Sequence, residues 1–172
     1  MNREKLERLA RQQITAAHHE AGHAVAAFHI GIEIKKISII GLGEEANKFE
    51  HFPYFSDNEI NDLTWENLPG SPRENLENYA FTSLVGPWAQ KKFNPKGYRK
   101  GQVEGDYYIA VKLLSKVKKD EEILGYYFKM IDLEARNFVQ DKSNWSEIHR
   151  LSLVLLDRGK MTSEEVCKTI MD

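Results

Sequence analysis

His19-Glu20-Ala21-Gly22-His23 sets two imidazoles and a carboxylate within five residues. On an α-helix, positions four apart differ by about 40° around the axis and about 6 Å along it, so His19 and His23 project from one face. That spacing suits two ligands of a tetrahedral zinc, whose Zn–N bonds are about 2.0–2.1 Å. Glu20 lies about 100° round the helix, poorly placed to ligate beside them. It is well placed to reach a water held on the metal and take its proton, as the general base of a metalloprotease does. Gly22 costs a helix interior about 0.8–1.0 kcal/mol relative to Ala, which implies close approach of another backbone or of substrate. Alanines at 16, 17, 21, 24, 26 and 27 keep the helix thin and easily packed. His18 sits off the ligand face and reads as exposed or as supporting a ligand. His29, His51 and His149 have no metal-ligand spacing to anything.

The elements that must position this motif follow from period and caps. A helix runs from Arg3 to His29 and stops at Gly31, with Thr15 as the one place where the pattern leaves a break open. The β-branched run Ile32 to Ile40 reads as a strand before the Gly41-Leu42-Gly43 turn, and Phe49 to Phe55 as its partner. Asn58 to Leu68 is a loop ending in Pro69-Gly70. Ser71, Pro72 and Glu74 form a helix start, and Leu76, Ala80, Phe81, Leu84, Val85, Trp88 and Ala89 recur at helical spacing up to Phe93. Further helices are expected from Asp106 to Lys118 and from an Asp120 cap, the latter burying Ile123, Leu124, Tyr127, Ile131 and Phe138. Two more run from Trp145 to Leu156 and, after an Asp157 to Lys160 turn, from Ser163 to Met171, with a capping box over Thr162 to Glu165. The expected fold class is mainly α (α+β), with one small β-sheet.

Composition bounds the reading. The chain has 172 residues, 41% hydrophobic and 29% charged, the balance of one globular domain over 1–172. A net charge of −2 leaves no global basic field to recruit nucleic acid or anionic membrane. One cysteine, Cys167, excludes an intrachain disulfide or a CxxC motif and fits a reducing, cytoplasmic setting. No apolar run is long enough for membrane insertion, and residues 1–13 carry no secretory h-region. No GxxxxGK[ST] loop is present, so no P-loop ATP site is expected.

His19 to Phe28, HEAGHAVAAF, resembles the peptidase domain of FtsH-type zinc metalloproteases, which join a membrane anchor and an AAA+ ATPase to a helical, zincin-like peptidase. The strand Lys35 to Ile40 is similar to the family's segment after its active-site helix. Leu84 to Gln90 resembles its "aGraAE" helix, and Gly105 to Ala110 its "sDlexAt" segment. The two C-terminal helices resemble its closing helices, so the likeness spans most of the chain from Thr15 onward. It implies that Asp106 is the third metal ligand beside His19 and His23. Glu104 is the rival, with Glu33 and Glu50 further outsiders. Gln90 stands where the family usually has Glu, and Trp88 where it has a small residue.

The expectation is a Zn2+-dependent endopeptidase with Glu20 as general base, acting on peptides or unfolded protein. The Ile37 to Ile40 strand could pair with an extended substrate if it lies at a sheet edge. A separate ATPase partner and a homo-oligomer are left open. Two rivals remain: a zinc-containing interaction module without independent turnover, and a zinc amidohydrolase acting on a small non-peptide amide.

Overall fold

The computed structural model describes residues 3–39, 48–51 and 70–172. Helix α1 (Arg3–Ile30) is followed by strands β1 (Ile34–Ser38) and β2 (Lys48–His51). Then come α2 (Gly70–Phe93), a short 3-10 turn (Lys100–Gln102), α3 (Glu104–Val117), α4 (Glu121–Gln140) and α5 (Lys142–Arg158). Strand β3 (Lys160–Thr162) and α6 (Ser163–Met171) close the chain. The architecture is mainly helical with one small antiparallel sheet, ordered β2-β1-β3.

Helix α1 is unbroken at Thr15, whose hydroxyl donates back to the Arg11 carbonyl within the helix. It ends at Gly31, which takes φ +79°. The Gly31 N–H then returns to Phe28 O and the Ile32 N–H to Ala27 O, closing off the last carbonyls. The alanine stripe lets α1 sink into the core, where Ala17, Ala21, Ala24 and Ala27 are fully buried between α2 and α5. Gly22 is explained by that proximity, because a Cβ there would lie 2.8 Å from Ala89 Cβ on α2.

The sheet departs from expectation in two ways. β1 is the central strand, pairing Ile37 with Phe49 on one side and with Met161 on the other, so it offers no edge to a substrate. The edge beside α1 belongs to β2. β3 is a strand where a turn was expected, and Asp157 and Arg158 belong to α5 instead. A register shift between Ile34 and Lys36 turns both Ile34 and Ile37 toward the core, although strict alternation would send them to opposite faces.

Other boundaries move less. The Asp120 cap is present, its carboxylate accepting the Ile123 N–H, and so is the Thr162–Glu165 capping box. On α4 the fully buried stripe is Ile131, Ala135 and Val139, while Ile123, expected inside, is 52% exposed. α3 begins at Glu104, which puts Asp106 inside the first turn and not at the cap. Ser71 lies within α2 as described, but its side chain and that of Pro72 lie outside the described residues. So do the Gly41 turn, the expected strand beyond His51 and the 58–68 loop.

Candidate metal centre

His19 and His23 stand one turn apart on α1, and Asp106 reaches them from the first turn of α3. The two Nε2 atoms are 3.0 Å apart, and the carboxylate oxygens of Asp106 lie 3.3 Å from His19 Nε2 and 3.5 Å from His23 Nε2. Ligands of a tetrahedral ion with bonds near 2.05 Å are about 3.3 Å apart, so the triad has the dimensions of three corners of such a site. Among the described residues it is the one cluster of this kind, its ligand atoms all within 4.8 Å of one another. Glu104 and Glu33 are exposed and outside it, and Glu50 pairs with Lys36 at 3.2 Å.

Hydrogen bonds on the far sides of the rings fix which nitrogens face the centre. His23 Nδ1–H donates to the Thr82 carbonyl at 2.8 Å, leaving Nε2 as a lone pair. His19 Nδ1–H donates to Gln90 Oε1 at 2.9 Å. The Gln90 amide nitrogen donates in turn to Gln102 Oε1, which also accepts the Arg99 backbone N–H. That chain sets the Gln90 orientation and so the His19 tautomer. Gln90 thus occupies the supporting position where the resemblance expected Glu, with a neutral amide as the acceptor.

Two lone pairs and a carboxylate facing one another demand positive charge between them, and the donor set fits zinc. Without a metal a proton answers the demand. Burial works against the His23 imidazolium, but Asp106 and Glu20 outweigh it and push its pKa up to about 9. Partial burial likewise opposes ionisation of Asp106, yet contact with His19 and His23 holds its carboxyl well below the usual range.

Glu20 is buried beside the triad, with 5% of its surface exposed. Burial raises its pKa; the histidines oppose that, Asp106 adds to it, and a hydrogen bond from the Phe49 N–H partly offsets it. Phe49 also stacks on His23, ring centroids 5.7 Å apart, so β2 closes one side of the centre. α2 closes another, since a Cβ on Gly86 would fall 2.3 Å from His23 Nε2. The centre opens into a cavity of about 830 Å³ between α1, β2 and α2. On its wall, the Thr82 hydroxyl is buried without a partner among the described residues.

Phe49, Thr82 and Gln102 were not legible as site residues: two act through backbone atoms, and Gln102 through a tertiary contact. His18, read as exposed or supporting, is neither. It is fully buried on another face of α1, its Nδ1–H given to Ile14 O and its Nε2 3.0 Å from His149 Nδ1. No helix among the described residues is long and apolar enough to cross a membrane. Compared with known proteins, the chain matches no protein-family model and no curated protein.

Proposed function

We propose that this chain is a zinc-dependent endopeptidase of FtsH-like, zincin-like type, cutting peptides or unfolded segments of protein in a cytoplasmic setting. The observation that carries the reading is the convergence of His19, His23 and Asp106 on one point, with Glu20 buried beside it at the end of an open cavity. Bound zinc would supply a Lewis acid that polarises a carbonyl and acidifies a water.

The protein's own residues would divide the work. His19 and His23 would hold the ion through Nε2, and Asp106 through a carboxylate oxygen. Glu20 accepts the proton of the attacking water and returns it to the leaving amine. A hydrogen bond from the Phe49 N–H helps to hold the Glu20 carboxylate in place for this. Among the described residues no strand covers the outer edge of β2, which would receive an extended chain as β1 cannot. Thr82 adds a hydroxyl that has no partner among the described residues.

The test is casein hydrolysis by zinc-loaded protein, with and without a chelator, beside Glu20→Gln. The reading requires cutting of casein, sparing of a tightly folded protein, and loss of activity with chelator or substitution. Equal activity in wild type and Glu20→Gln would end it. Activity that appears only on adding a separate ATPase would make the chain a peptidase subunit.

A further inference from the structure

Resting on the peptidase reading, we propose that the cleft selects acidic stretches of polypeptide, gripping carboxylates four to five residues from the bond to be cut. The ligand-bearing stripe of α1 continues toward its N-terminus through Thr15, Arg11 and Arg8, all on the wall of the same cavity. At 1.5 Å rise per residue, Arg11 lies about 12 Å and Arg8 about 16 Å along the axis from His19. An extended chain advances about 3.3 Å per residue, so these guanidinium groups meet side chains about four to five residues away. Across the cavity, Lys48 on β2 adds a third cation.

None of the three has a carboxylate partner among the described residues. Glu7 is paired with Arg3 at 2.8 Å, and Glu4, one helical turn before Arg8, forms no ion pair with it. The carboxylates on the described cavity wall are Glu20 and Asp106, and both are engaged at the metal end. The chain as a whole is slightly acidic, with 26 Asp and Glu against 24 Lys and Arg. The basic strip is therefore a local feature of the cleft and no by-product of a basic protein. A single exposed ion pair contributes little, but three cations lining one concavity focus their field on whatever lies in it.

Labelled peptides of one sequence, differing only in a Glu-Glu, Gln-Gln or Lys-Lys pair four and five residues to either side of the centre, test this. Their affinity is measured by fluorescence anisotropy on zinc-loaded Glu20→Gln protein, and their cleavage on wild type. The Glu peptide should bind about three- to tenfold more tightly than its Gln twin, and the Lys peptide more weakly still. The preference should vanish in Arg8→Gln/Arg11→Gln/Lys48→Gln, with circular dichroism and zinc content unchanged, and shrink in 0.5 M salt. Equal binding of Glu and Gln peptides, a preference that survives the triple substitution, or tighter binding of a short single-stranded oligonucleotide would each overturn the proposal. Selective binding without cleavage by wild type would overturn the peptidase reading while upholding selection of acidic polypeptide.

Discussion

His18 and His19 are neighbours on one helix and end in opposite chemical situations. The His18 ring is sandwiched against Phe93, centroids 3.9 Å apart, and lies near Trp145 and His149. Its nitrogens are satisfied by Ile14 O, His149 and Ser152. Burial lowers its pKa to about 4, so it stays neutral and serves packing. The His19 ring is anchored at Nδ1 alone, and its Nε2 faces His23, Asp106 and the cavity. The residue type does not distinguish them. What distinguishes them is the 100° of helix rotation that gives one a closed hydrogen-bond network and leaves the other a lone pair.

The largest expected effect lies on the open side. Glu20→Gln should keep fold and zinc while turnover on casein falls about 10²–10⁴-fold, the contribution of a positioned general base. His18→Ala should do the reverse. By emptying a packed aromatic site and orphaning the Ile14 and His149 partners, it should cost about 3 kcal/mol in urea unfolding, with metal affinity kept. A variant that lost zinc as readily as His23→Ala would erase the distinction.

The next effect tests how His19 is held. Gln90→Leu removes the acceptor for Nδ1–H, and zinc affinity in a chelator competition should fall about 10–100-fold. Gln90→Glu restores a charged acceptor and should bind zinc at least as tightly as wild type. Equal affinities in all three would mean that Gln90 does not orient the ring.

The smallest effect is the pH signature of the closed side. His18 has a folded pKa near 4 and an ordinary unfolded value near 6.5. Between these the unfolded chain binds the extra proton, so stability is full above about pH 6.5 and lost as pH falls toward 4. Metal-free wild type should lose about 1–2 kcal/mol more between pH 7.5 and 5 than His18→Leu does. Parallel urea midpoints at the two pH values decide it.

Local chemistry made much of this legible. The HExxH spacing, the Gly31 stop, the Asp120 cap and the Thr162–Glu165 box are each written within a few residues. They recur in the structure as expected. Asp106 was reached through resemblance, since nothing local ties residue 106 to residue 19. β3 escaped notice because three residues after a glycine are too few to establish a period; its one buried side chain, Met161, lies opposite Ile37. The same distant pairing made β1 central. Ile123 has helical spacing yet stays exposed, because spacing names a face without saying whether a neighbour covers it.

The β1–β3 ladder also fixes an order of assembly. β1 and β2 lie within the first third of the chain, but β1 lacks one neighbour until residues 160–162 have been made. A pairing that spans more than 120 residues is slow to close, because the intervening loop must first lose its freedom. On the ribosome the histidines of α1 would emerge early, while the sheet that holds Phe49 over them could not be completed until β3 followed. Synthesis would then deliver α1 first and the completed sheet last.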